Sequence, residues 1–241
     1  MRLAGRTLAS AVVAVVIAGA SGAANAGVIS FDFTTLGSNN VALSASETVN
    51  GVTATGWTAG NDFSGAAAAI LWLRDQTNDH GLGVCSEGSS SCSTGGGNIN
   101  ELSNQGNREW IRLENTNGGT WTSLYVSSLD STETGTLYWS NSATSFTSTD
   151  RFQYDAGDFA GGAVEGDLLS LTQASGFDAS SKYVFFRAGA HNEGTGADND
   201  HLVWKGTVET TDVPEPTTLG LMGMGLAGLG LVARRRRRAA A

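Results

Sequence analysis

The sequence of 241 residues has few prolines, cysteines and histidines. Two cysteines are too few for a disulfide-dense scaffold or for a zinc site built from two cysteine pairs. The three histidines show no H-E-x-x-H spacing, and no G-x-S-x-G sequence occurs. These absences remove the sequence signatures of zincin proteases and of α/β-hydrolases. The sequence offers no recognisable catalytic constellation, and we expect a protein that is not an enzyme.

Basic residues are scarce in the long central part of the chain. Residues 27–212 contain seven lysines and arginines against 22 aspartates and glutamates, a net charge of −15, whereas both ends of the chain are basic. Because contacts to phosphates require lysine and arginine, this balance excludes DNA and RNA from the expected partners. An acidic surface favours solubility and is compatible with divalent cations.

The N-terminus has the layout of a secretory signal peptide. Arg2 and Arg6 precede an apolar run that ends near residue 20, and Ala24 and Ala26 complete an A-x-A cleavage site. A retained membrane helix is the alternative, but the run is short for one. We predict that residues 1–26 are a signal peptide and that an exported domain follows over 27–212.

Both prolines of the chain lie near the C-terminus, in front of an apolar run and an arginine cluster. The motif consists of Val213, Pro214, Glu215 and Pro216. Residues 217–233 are mostly apolar and would span about 25 Å as a helix, close to the thickness of a hydrocarbon core. A basic end over 234–241 would stay on the cytoplasmic side, and it contains five consecutive arginines: Arg234, Arg235, Arg236, Arg237 and Arg238. We predict a transmembrane helix over 217–233, and an ordinary tail anchor is the alternative.

This order of parts resembles the PEP-CTERM sorting signal of exported proteins in Gram-negative bacteria. In that family a membrane-embedded exosortase recognises a Pro-Glu-Pro motif, a single spanning helix and a basic end, and it processes the protein near the motif. The resemblance covers residues 213–241, and an N-terminal signal peptide is its required companion. It implies an intermediate anchored in the inner membrane, which is then released to the cell surface or the extracellular space.

Between the two ends the sequence indicates β-strands. Short segments rich in Val, Ile, Thr and aromatic residues are separated by Gly, Ser, Asn and Asp, and no sustained helical periodicity occurs. In residues 108–115 alternation places side chains on two faces: Trp110, Arg112 and Glu114 against Ile111 and Leu113. About ten such segments predict a single antiparallel β-sandwich, jelly-roll-like, over residues 27–212.

Cys85 and Cys92 lie in a stretch of serine and glycine. Export would place them in an oxidising compartment, where a disulfide is the usual state. A C-x6-C spacing without a second pair does not fit a zinc site. We predict a disulfide between Cys85 and Cys92 that closes a short surface loop.

Residues 190–202 hold the stretch that most resembles a ligand site. Its side-chain oxygens would suit calcium, although their spacing is not that of an EF-hand: Asn192, Glu193, Asp198, Asn199 and Asp200. The alternative is a solvated loop between the last two strands. No metal or other cofactor is assigned, and calcium stays an option.

Six tryptophans fall in or beside predicted strands: Trp57, Trp72, Trp110, Trp121, Trp139 and Trp204. Indole rings in strands usually pack into a core, whereas exposed rings stack on sugars. We therefore expect most of them in the core, and one or more exposed carbohydrate platforms is the alternative.

Together these features predict a non-enzymatic exported protein of the cell surface or extracellular matrix that is processed by an exosortase. Its role would be adhesion or a structural part in a biofilm. The alternative is a carbohydrate-binding module, optionally assisted by calcium, with an extracellular polysaccharide as partner. A secreted hydrolase of unrecognised type is a third hypothesis, because sequence alone cannot select a catalytic pair among 22 carboxylates.

Overall fold

The computed structural model describes residues 27–76, 79–86, 101–104, 108–130, 132–155, 167–169, 171, 175–193 and 199–210. No helix within these ranges is long and apolar enough to cross a bilayer. The predicted signal peptide, transmembrane helix and sorting motif lie outside the described residues, and the domain boundaries predicted from them stay predictions.

The described residues form fourteen strands and one short 3-10 helix, Phe33–Leu36. Asp32 caps this helix by accepting a hydrogen bond from the Thr34 amide at 3.0 Å. The strands are β1 Gly27–Asp32, β2 Val41–Ala42, β3 Ser46–Val49, β4 Val52–Thr58, β5 Ala67–Asp75, β6 His80–Cys85, β7 Leu102–Ser103, β8 Glu109–Asn115, β9 Thr120–Ser127, β10 Thr134–Ser140, β11 Arg151–Asp155, β12 Asp167–Leu169, β13 Tyr183–Ala188 and β14 Asp200–Thr210.

The strands follow one continuous path of pairings, β11-β10-β13-β8-β4-β5-β6-β14-β9-β12. β1 and β7 also pair with β14, β2 pairs with β5, and β3 pairs with β4. Every pairing is antiparallel. The all-β, antiparallel prediction is confirmed.

β5 joins the two halves of this path. Its residues 67–69 pair with β4, whereas residues 70–75 pair with β6. One half therefore contains β11, β10, β13, β8, β4 and β3, and the other contains β6, β14, β9 and β12 together with β1, β2 and β7. We call these the first and second halves of the sheet.

The main hydrophobic core draws side chains from both halves. Ile111 and Leu113 of β8 belong to it, as do Leu124 and Val126 of β9. Their alternation with outward residues is the period of two that the sequence shows. Each fully buried side chain of this size contributes about 1.5–3 kcal/mol through loss of contact with water. Trp121 also lies in this core, as expected for an indole in a strand.

Candidate functional site

The sequence-predicted sorting and processing residues lie outside the described part of the chain. This applies to the motif at 213–216, the arginines at 234–238, the cleavage residues Ala24 and Ala26, and Cys92. Cys85 is the last residue of β6 and is 4% exposed. The disulfide and the signal-peptide cleavage stay predictions.

The candidate calcium ligands are not brought together. The Glu193 carboxylate accepts a hydrogen bond from the Ala190 amide at 2.8 Å, and Asn199 Oδ1 accepts one from the Thr134 amide at 2.7 Å. Asn192 is exposed, and Asp198 lies outside the described residues. Within the described ranges, no group of three or more His, Cys, Asp or Glu side chains could hold a metal ion.

Asp200 instead forms a buried carboxyl pair with Glu133, just before β10. Both side chains are 5% exposed, and they are hydrogen-bonded to each other. Burial, and then the charge of Asp200, raise the pKa of Glu133 to about 8, although the Asp130 amide donates to its carboxylate. The two carboxyl groups therefore retain one proton between them at neutral pH. Nothing in the sequence links these two acids.

A second cluster of charges surrounds Arg74 on β5. Its guanidinium forms salt bridges with Asp79 and with Glu101. Ser128 Oγ lies 3.0 Å from Asp79 Oδ1 and 3.0 Å from Glu101 Oε2. One positive charge is shared by two carboxylates, and this cluster ties the chain segments around β5 together.

All three histidines contact aromatic rings. His80 lies 2.7 Å from Asp75 through Nδ1 and stacks on Trp204 with ring centroids 4.8 Å apart. His201 is buried and contacts Tyr154, and burial lowers the pKa of His201 to about 3.

The outward face of the first half carries a second cluster of aromatic residues. Because alternate residues share a face, Trp110 on β8, Tyr138 on β10 and Phe185 on β13 all point away from the main core. They form a separate cluster with Phe63 and Tyr183, and Trp57 and Phe146 pack against it as partly buried rings. We call these seven residues the outer cluster.

Two connecting loops cover the outer cluster. Phe63 comes from the loop between β4 and β5, and its ring centroid lies 5.0 Å from that of Phe185 and 5.4 Å from that of Trp110. Phe146 comes from the loop between β10 and β11 and stacks on Tyr138 at 4.2 Å. Phe63 has φ of 63°, a left-handed conformation that is strained for a bulky side chain. Its packing among the rings holds that conformation in place.

Two arginines lie among these rings. Arg112 Cζ is 5.3 Å from the centroids of both Trp57 and Tyr183. Arg187 is fully buried, with its guanidinium 5.7 Å from the centroid of Trp110. Burial lowers the pKa of both arginines from its ordinary value, since a charged group is less favourable away from water. The outer cluster is thus a mostly buried layer of aromatic rings that contains positive charge.

Arg187 also organises the start of the stretch proposed for calcium. It donates hydrogen bonds to the carbonyls of His191 at 2.8 Å and of Glu193 at 3.2 Å. These carbonyls belong to a turn in which the Glu193 amide donates to the Ala190 carbonyl at 2.9 Å. This role of Arg187 could not be predicted, because nothing in the residue pattern indicates hydrogen bonds from its side chain to the backbone that follows it.

The six tryptophans fall into a buried group and a partly buried group. Trp72, Trp110, Trp121 and Trp139 are buried, which confirms the core assignment for most of the six. Trp57 and Trp204 are partly buried. Trp204 contacts the His80 ring and the Lys205 ammonium, which lies 3.6 Å from the indole centroid. The outer cluster therefore contains two tryptophans, the buried Trp110 and the partly exposed Trp57.

Comparison with known proteins identifies the C-terminal tail. No curated protein and no solved structure matches the chain significantly. Residues 212–238 match the family model of the PEP-CTERM protein-sorting motif. The match contains the whole predicted motif and all five arginines. The resemblance derived from the sequence is confirmed: the chain carries a PEP-CTERM protein-sorting motif, consistent with an exosortase substrate.

Proposed function

We propose that this protein acts at the cell surface or in the extracellular matrix after an exosortase has processed its C-terminus. The sorting motif at residues 212–238 is the observation that carries the proposal. An N-terminal signal peptide would start export, and the helix at 217–233 would hold an intermediate in the inner membrane. The β-rich domain would then be the part that remains outside the cell.

The role we propose is non-enzymatic, either adhesion or a structural part in a biofilm. The buried acids support this role, because they form contacts within the protein. Glu109 accepts hydrogen bonds from the amides of Ser86 and Ser103, Glu101 binds Arg74, and Glu133 binds Asp200. Such groups stabilise the fold. The proposed role requires no catalytic residue and no cofactor.

We further propose that the two halves of the sheet are the layers of a jelly-roll-like β-sandwich. The support is the main core, which takes inward side chains from both halves, and β5, which passes from one half to the other. Two sheets that share one core and one crossing strand are typical of this architecture.

A carbohydrate-binding module is the second candidate function. The partly exposed Trp57 beside Arg112 favours it, because accessible aromatic rings with neighbouring polar groups are what proteins use to bind sugars. This candidate does not depend on calcium, since the Glu193 carboxylate and Asn199 Oδ1 already accept hydrogen bonds from protein amides.

The processing proposal is tested by replacing Pro214 and Pro216 with alanine in cells that contain the exosortase. We expect the double variant to accumulate in the inner membrane, because the extended motif that the enzyme binds is lost. Mass spectrometry of the exported wild-type protein should find a chain without Arg234. The matched control is Thr211→Ala, which lies outside the family match and should be exported normally. An exported wild-type protein with its C-terminus intact would refute exosortase processing.

A further inference from the structure

The seven basic residues of the central domain are gathered unevenly. Arg112, Arg151 and Arg187 lie on the outward face of the first half, because the register places them opposite Phe185, Tyr138 and Trp110. Lys182 directly precedes β13, with its ammonium 5.2 Å from the Tyr183 centroid, and Arg108 directly precedes β8. Five of seven cations in a domain of net charge −15 therefore collect on one face.

Most of these cations form no salt bridge with the acids that the structure describes. Lys182 pairs with Glu114 at 2.8 Å. Among the described residues, the four arginines of this face form no salt bridge and donate their hydrogen bonds to backbone carbonyls, as Arg112 does to Ala143 at 2.7 Å. Arg74 in the second half binds two carboxylates. Glu114 and Glu193 lie close enough to Arg112 and Arg187 to interact with their charges, but they form no salt bridge with them. The arginines of this face are therefore less fully paired than Arg74.

Three donors within the face have no partner. The Nε atoms of Arg108, Arg112 and Arg187 are buried and have no hydrogen-bond partner within the described part of the chain. Most proteins satisfy such buried groups. A ligand cannot reach these atoms, so contact with one falls to the partly exposed side chains of Arg108, Arg112 and Arg151.

We propose that the accessible residues above the buried rings of the outer cluster bind an acidic polysaccharide through the carboxylates of its uronate units. These residues are the partly exposed Trp57, Phe146, Arg108, Arg112 and Arg151 and the exposed Lys182. Arg112 is the central contact, because it is partly exposed and its plane is held between Trp57 and Tyr183. A planar guanidinium fits a carboxylate through two parallel hydrogen bonds, and neighbouring aromatic edges accommodate the sugar ring. The proposal deepens the extracellular role and rests on it, because such polymers are met outside the cell.

Other polyanions fit this surface less well. DNA carries about one charge per 1.7 Å of helix axis, and binding it requires a broad basic surface that a domain of net charge −15 does not offer. An anionic membrane would need exposed apolar side chains to insert, but Phe63, Trp110 and Phe185 are buried beneath their loops. A polysaccharide has fewer charges per unit length and needs to contact only this group of arginines. It therefore suits the face better.

The test uses the full-length protein in neutral detergent and affinity electrophoresis in gels that contain polygalacturonate or, separately, dextran. We expect retardation by polygalacturonate and none by dextran. Arg112→Gln should weaken the apparent affinity about tenfold, the usual effect of losing one charge-assisted contact. The matched control is Lys205→Gln, which removes one positive charge from β14 in the second half and should bind as the wild type does.

A second variant tests whether a loss of binding could result from misfolding. Lys182→Gln changes a side chain that is 49% exposed, so the fold should persist, and thermal unfolding checks this for each variant. It should also weaken binding of polygalacturonate. Several outcomes would overturn the proposal: no retardation by polygalacturonate, equal retardation by dextran, equal loss in Lys205→Gln, or tighter binding to DNA or to phosphatidylglycerol vesicles. None of them bears on exosortase processing, which the proline variants test in cells.

Discussion

Replacing Glu133 with glutamine should remove a pH-dependent loss of stability. The carboxyl pair keeps a proton because Glu133 is buried beside Asp200, with a pKa of about 8 for Glu133 in the fold against 4.5 ordinarily. Between these values the native state binds a proton that the unfolded chain has already released. The free energy of unfolding therefore falls as pH rises from 4.5 to 8, and it levels off above that.

The size of the effect follows from the shift. One pKa unit corresponds to about 1.4 kcal/mol, so the full shift amounts to at most about 5 kcal/mol. His201 acts in the opposite direction: its pKa of about 3 in the fold, against 6.5 ordinarily, makes stability rise with pH between those values. The two effects oppose each other between pH 4.5 and 6.5. From pH 6.5 to 8 the Glu133 contribution, about 2 kcal/mol, outweighs what remains of the histidine effects, in which His191 takes part because burial lowers its pKa.

The assay is urea unfolding of the full-length protein in neutral detergent, followed by tryptophan fluorescence at pH 6.5 and pH 8. In Glu133→Gln the amide can donate to Asp200 and accept from the Asp130 amide at any pH. The variant should therefore lose the fall of about 2 kcal/mol that the wild type shows. The matched control is Glu209→Gln on the exposed side of β14, which should retain the fall. An equal change for the wild type and Glu133→Gln would refute the buried-pair argument.

Two further substitutions test other parts of the domain. Phe63→Ala should lower the free energy of unfolding by about 3–4 kcal/mol, because it removes the ring that packs on the outer cluster. Phe63→Gly should cost about 1 kcal/mol less than alanine, since φ of 63° suits glycine, and urea unfolding that ranks glycine below alanine would contradict this. The predicted disulfide should contribute about 2–3 kcal/mol, so Cys85→Ser with Cys92→Ser and reduction of the wild type should lower stability equally. An unfolding midpoint that reduction leaves unchanged would argue against the bond.

The sequence predicts which side chains share one face of a strand, but it does not predict what packs against that face. Alternation alone separates Trp110 and Arg112 from Ile111 and Leu113, because successive side chains in any strand point in opposite directions. It says nothing about what lies over the outward face. Phe63 and Phe146 stand in loops rich in glycine, serine and threonine, and a single aromatic residue in such a loop has no periodicity that would reveal its contacts.

The stretch at 190–202 shows the limit for candidate ligands. Its oxygen donors suggested calcium because they are close in sequence. In the structure Asn199 binds Thr134, which is 65 residues away, and Asp200 binds Glu133. Such contacts depend on how strands that are distant in the sequence are aligned. The local residue pattern does not show this alignment. The sorting motif needed no such information, because its parts are consecutive.

The position of β14 has a consequence for the timing of folding. It is the last strand of the described residues, yet it pairs with β1, β6, β7 and β9. A chain that leaves the cytoplasm from its N-terminus delivers these four strands before their common neighbour arrives. Their free edges are sites for association with other chains until residue 210 has crossed the membrane. Periplasmic chaperones should therefore be needed during secretion, and closure of the sheet should be among the final events before the tail is cut.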